Sequence, residues 1–143
     1  DYRSTLESLA KDLGVESSLI WSGNIRFEEV RSAINACDMM LAPTPIHDLK
    51  WRGSSSLKLW EYLACDKPIL ATEFEDFKFL EKYNLGKMVK ADNVEIWAKT
   101  LAQEAKAKNF SLQSRGEKFI AENHSYNTVV EQFISISLET KMI

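Results

Sequence analysis

Cysteine is scarce in this chain: Cys37 and Cys65 are its two, too few for a disulfide framework or a zinc site. Each sits in an apolar stretch, where an unpaired thiol behaves as a small hydrophobe. The composition suits a reducing cytoplasm. Excess positive charge is lacking as well. A formal net charge of −3 argues against a general nucleic-acid binder, whose footprint is a basic excess. No apolar run approaches a membrane span, and the start Asp1-Tyr2-Arg3-Ser4 is not a signal peptide. The first residue is not methionine, which suggests a processed chain or a piece excised from a longer one. There is no internal repeat, low-complexity segment or domain linker. What remains, 45% apolar and 27% charged over 143 residues, reads as one globular domain around a single core, residues 1–143.

The apolar pattern alternates between two periods. Leu6, Leu9, Ala10 and Leu13 recur at helical spacing and Gly14 stops them. The triplet Leu19-Ile20-Trp21 reads as a strand closed by Ser22-Gly23-Asn24. Phe27, Val30, Ala33, Ile34 and Cys37 form a second amphipathic stripe. Met39-Met40-Leu41-Ala42 is a buried strand ended by Pro43-Thr44-Pro45. A polar loop to about Ser54 leads into a helix from about Ser55 to Ala64. Ile69-Leu70-Ala71 is a third strand, Phe77, Leu80 and Tyr83 mark a short helix, and Lys87-Met88-Val89 is a fourth strand. Asp92 and Glu95 resemble a capping box for the helix carrying Val94, Trp97, Ala98 and Leu101. Trp60 and Trp97 sit on helix faces expected to pack on the core. Two more helices run from about Leu112 to Ile120 and Tyr126 to Leu138.

Short apolar strands alternating with helices imply an α/β fold: a Rossmann-like parallel sheet with helices on both faces. The chain enters this pattern at a helix, so the unit is expected to be truncated at its N-terminal strands, leaving an open sheet edge.

The stretch from Pro43 to Pro68 is where chemistry concentrates. Ligands of open α/β sheets bind outside the carboxyl ends of the strands, and the free amides of a following helix favour an anion. Ser54, Ser55, Ser56 and the Leu57 amide are therefore candidate diphosphate donors. A serine there serves equally as an ordinary N-cap. Glu61 lies in Leu57-Lys58-Leu59-Trp60-Glu61-Tyr62-Leu63-Ala64, a helix apolar almost all round and expected to be buried. Leu57, Trp60 and Ala64 share its face. A buried carboxylate needs a hydrogen-bonding partner. A ribose offering two hydroxyls supplies one, and a pair with Lys58 three residues earlier is the structural alternative.

The run Ser55-Ser56-Leu57-Lys58-Leu59-Trp60-Glu61-Tyr62-Leu63-Ala64-Cys65-Asp66-Lys67-Pro68-Ile69-Leu70-Ala71 resembles the donor-site signature of the large retaining "group 1" family of GT-B glycosyltransferases. Ile20-Trp21-Ser22-Gly23-Asn24, Ala36 to Pro43 and Asn84 to Val89 resemble its other segments in order. The resemblance implies the nucleotide-sugar-binding, C-terminal half of such an enzyme. In that role Glu61 would hold the ribose, and the Ser55, Ser56 and Leu57 amides the diphosphate. The turn Gly23-Asn24-Ile25-Arg26 would lie against the base, although Arg26 also reads as a solvated charge at a helix start.

Two departures stand out. Many members carry a sugar-contacting glutamate eight positions before the ribose one, and here that position is Gly53. His47 or Asp48 in the adjacent loop are candidate replacements. The leaving-group arginine and lysine of similar enzymes lie near a first strand that is absent here, and Arg52 is a candidate phosphate contact in their stead. The resemblance implies a nucleoside-diphosphate sugar as donor substrate, no metal and no other cofactor. Its partner would be an acceptor-binding half, through which similar enzymes associate peripherally with membranes. The chain alone is expected to be inactive. A GT-B nucleotide-sugar epimerase and a non-catalytic α/β interaction module are the alternative readings.

Overall fold

The computed structural model describes residues 2–52, 57–91, 93–108 and 110–140. It divides into two compact units, Asp1–Val30 and Arg31–Ile143. In the first, helix α1 (Tyr2–Asp12) follows the predicted stripe and buries Ala10. A 3₁₀ turn at Glu16–Ser18 comes next. The strand expected at Leu19-Ile20-Trp21 does not form: these residues have no ladder partner among the described residues, and Ile20 is 95% exposed. An apolar triplet becomes a strand only when a neighbour accepts its backbone hydrogen bonds. The Arg3 guanidinium lies 5.5 Å above the Trp21 ring instead, while pairing with Glu7 at 2.7 Å.

Helix α2 (Phe27–Asn35) spans the boundary between the units and buries only Ile34. The second unit holds a parallel sheet of β1 (Met40–Ala42), β2 (Ile69–Thr72) and β3 (Gly86–Val89), in that order. Met40 pairs with Ile69 and Ala42 with Ala71; Ile69 pairs in turn with Gly86 and Thr72 with Val89. All four residues of β2 are buried. Because alternate side chains point to opposite sides, both faces of this central strand are covered. The fold is therefore α/β with a parallel sheet, as the alternation of periods implied, although three strands are seen among the described residues where four were expected.

Ile69 and Ala71 join the main core with Leu59, Leu63, Phe77, Leu80, Leu85, Leu112 and Phe119. Leu59 and Leu63 come from α4 (Leu57–Ala64), which packs on α7 (Arg115–Asn123) and β2. Phe77 closes a 3₁₀ turn (Glu75–Phe77) that leads into the short helix α5 (Phe79–Lys82). The segment after β1 corrects the expected polar loop: Ile46–Arg52 is a helix, α3. Its polar surface disguised it, since Leu49, 4% exposed, is its anchor in the core.

Helix α6 (Val94–Ala107) is capped by Asn93, whose side chain accepts from the Ile96 amide. The cap expected from Asp92 thus moves one residue along, and Asp92 itself lies outside the described residues. Trp60 is half-buried against the core, stacked on His124 at 3.9 Å and near Phe79 at 5.4 Å. Trp97 is half-buried too, and its indole N–H donates to the Lys90 carbonyl. The last helix, α8 (Tyr126–Thr140), exposes most of its apolar residues. Among the described residues no helix is long and apolar enough to cross a membrane.

Candidate functional site

All three strands end on the same edge of the sheet, because all run parallel. Outside that edge lie two adjoining cavities. One, of about 400 Å³, is lined by Ile46, Glu73, Lys90, Ala91 and Asn93. The other, of about 300 Å³, is lined by Pro43, Thr44, Pro45, Thr72, Ala91, Asn93, Val94 and Trp97. They share Ala91 and Asn93. Their walls come from the turn after β1, the end of β2 and the turn after β3, the position where parallel α/β sheets bind ligands.

The backbone under this edge is tied down. The Glu73 amide donates to the Val89 carbonyl at 2.7 Å, which extends the β2–β3 pairing past Thr72. The Trp97 indole holds the Lys90 carbonyl at 3.1 Å, and Asn93 caps α6. Sequence reasoning did not single out Glu73, Lys90 or Asn93. The available signal was position: each lies within four residues of the end of an expected strand.

Of the candidate site residues the sequence did single out, several lie outside the described residues, and the described ones do not line the two cavities. Ser54, Ser55 and Ser56, with Gly53, lie outside the described residues, as does the side chain of Arg52. Leu57 opens the described part of α4 and is 74% exposed. Glu61 is exposed, which corrects the expectation that its helix is buried all round. Only the Leu59–Leu63 stripe is fully buried; Leu57 and Ala64, beside Glu61, face outward and Trp60 is half-covered. Among the described residues no ion pair joins Glu61 to Lys58 or to any other cation. Its charge still reaches its neighbours. Burial, then the Glu61 charge, raises the Tyr62 phenol above its ordinary value. The Cys65 thiol is raised chiefly by burial, against lowering from Arg31 and Lys67.

His47 and Asp48 belong to the first turn of α3 rather than to a loop. The His47 Nε2 stands 3.4 Å from the Asp48 carboxylate, and His47 is largely exposed. Neither lines the two cavities; Ile46 does. The turn Gly23-Asn24-Ile25-Arg26 belongs to the N-terminal unit. There Arg26 donates to Glu29 at 2.7 Å, an exposed contact that raises the arginine and lowers the glutamate. Among the described residues no cluster of three His, Cys, Asp or Glu side chains is placed to hold a metal ion.

A broader groove of about 1060 Å³ has Trp60, Glu73, Phe79, Tyr83, Phe119 and His124 among its lining residues. Partial desolvation of the His124 ring, which stacks on Trp60 but remains exposed, lowers its pKa from the ordinary 6.5. The unfolded chain therefore takes up this proton first as pH falls below 6.5. The associated stability is present above that value and is lost as pH drops through the depressed folded-state pKa. We expect thermal melts between pH 7.5 and 5 to show this decline in the wild type and a flatter profile in His124→Phe. Parallel profiles in the two proteins would remove His124 as the cause.

Comparison with known proteins adds one finding. The family described as glycosyl transferases group 1 matches residues 1–106, a span that includes α1 to α4, the whole sheet and both cavities. No curated protein and no solved structure gives a significant match. The match covers well over half of the chain and agrees with the resemblance carried by Ser55 to Ala71, so the chain belongs to the group 1 glycosyltransferases.

Proposed function

We propose that the chain binds a nucleoside-diphosphate sugar and serves as the donor-binding domain of a glycosyltransferase that moves the sugar to an acceptor with retention. The observation that carries this reading is the pair of cavities at the carboxyl edge of a parallel sheet in a chain of this family. An acceptor-binding half is the partner the reading requires, and a reducing cytoplasm, which the scarcity of cysteine suits, is the compartment it fits. The Ser55, Ser56 and Leu57 amides would take the diphosphate, with Ser54 and Arg52 as further candidate contacts. The transfer itself depends on positioning and on stabilising the departing diphosphate.

Glu61 is assigned to the ribose. The exposed carboxylate has no ion-pair partner among the described residues, so a vicinal diol displaces only water when it binds there. Two charge-assisted hydrogen bonds follow, each partly offset by the lost hydration. Glu61→Gln should therefore weaken binding of UDP or GDP about tenfold, as read by calorimetric titration. Its melting temperature should stay at the wild-type value, because the side chain is exposed. Lys58→Met separates the two roles: it should leave both affinity and stability unchanged. Unaltered nucleotide affinity in Glu61→Gln would sink the ribose assignment.

A further inference from the structure

The 400 Å³ cavity contains a charge pattern that the diphosphate and ribose assignments do not use. Glu73 and Lys90 line it together with Asn93, from the ends of two different strands. Among the described residues neither has an ion-pair partner, and they do not pair with each other within 4.0 Å. Their backbones are fixed by the Glu73–Val89 and Trp97–Lys90 hydrogen bonds. An acidic and a basic residue thus line one small cavity from fixed backbone positions, with no ion pair between them.

Opposite charges on one cavity wall select a class of ligand. A phosphate would meet the carboxylate as a like charge, and a cation would meet the ammonium. A neutral ligand with neighbouring hydroxyls suits both, since one O–H donates to the carboxylate while the next oxygen accepts from the ammonium. Ile46 and Ala91 supply apolar wall for the carbon face of such a ring. Pockets of this kind, mostly apolar with a few convergent polar groups, are the usual form of small-ligand subsites.

We propose that Glu73 and Lys90 bind the hydroxyls of the transferred sugar and set which sugar the donor carries. The assignment rests on the donor-binding reading above, so its test must distinguish the sugar from the nucleotide. The probes are UDP, UDP-glucose, GDP and GDP-mannose, titrated calorimetrically into the wild-type chain, Glu73→Gln and Lys90→Met. In the variants, affinity for the preferred nucleotide sugar should fall roughly ten- to a hundredfold toward that of its bare diphosphate. Affinity for the bare diphosphate should stay within twofold and the melting temperature at the wild-type value, because both side chains are exposed. Equal losses for sugar and diphosphate would make the residues nucleotide contacts and overturn the proposal. An unchanged nucleotide-sugar affinity would overturn it as well, with the donor reading intact. A wild-type chain that binds none of the four probes would overturn the donor reading first, and the subsite with it.

Discussion

Gly86→Ala should destabilise the fold by about 3 kcal/mol, lowering the melting temperature by roughly 10 °C. Gly86 sits opposite Ile69 in the parallel ladder, and Ile69 donates to the Leu85 carbonyl just before it. A Cβ added at Gly86 would collide with the Ile69 carbonyl oxygen and stand 2.9 Å from its carbon and 3.0 Å from the Ile69 nitrogen. These are backbone atoms of the central strand, so no side-chain rotation relieves the clash. β3 has to move away from β2, and the buried Ile69, Leu70 and Val89 lose packing as it does. Lys87→Ala is the control on the same strand. Lys87 forms a surface ion pair with Glu104, and exposed pairs contribute about 1 kcal/mol or less. Urea denaturation of the two variants should give a clearly lower midpoint for Gly86→Ala alone. A midpoint for Gly86→Ala within that of Lys87→Ala would mean that the strands are not packed this closely.

The Gly86 contact illustrates what the sequence could and could not disclose. Ile69-Leu70-Ala71 and Lys87-Met88-Val89 were legible as strands because apolar runs there are bounded by Pro68, Asn84 and Gly86. Their order and register depend on long-range pairing, which no local pattern encodes. The same limit explains Leu19-Ile20-Trp21, whose composition is that of a strand but which has no partner among the described residues. Helix α3 was missed for the opposite reason: one buried residue, Leu49, holds a helix whose other positions look like a loop. The burial of Glu61 was misjudged because composition counts apolar residues all round α4, whereas burial follows only Leu59 and Leu63. The family was legible from the run between Ser55 and Ala71, a contiguous motif. The cavity residues Glu73, Lys90 and Asn93 were not, because the sheet gathers them from separate segments.

Asp66→Ala should cost about 2–3 kcal/mol, since this one side chain joins the end of α4 to the start of α7. Its Oδ2 accepts from the Ser114 amide at 2.8 Å and its Oδ1 from the Gly116 amide at 3.0 Å. The first amides of a helix have no partner within it, so Asp66 caps α7 from 48 and 50 residues away. Hydrogen bonds to a charged acceptor contribute about 1.5–3 kcal/mol each when buried, and the partial exposure of this pair reduces that. Asp66 also adopts a left-handed conformation at φ 54°, which aspartate tolerates better than alanine. Asp66→Asn keeps one acceptor oxygen and much of that tolerance, and should lose about half as much. Gly116 lies in the same joint: a Cβ there would come within 2.6 Å of the Leu63 carbonyl and 3.1 Å of Asp66 Oδ1. Gly116→Ala should therefore push α7 off the cap, and the double variant should lose less than the sum of the two single losses. Denaturant melts of the four proteins give the coupling directly. Fully additive losses would mean that Asp66 does not act through the α7 cap.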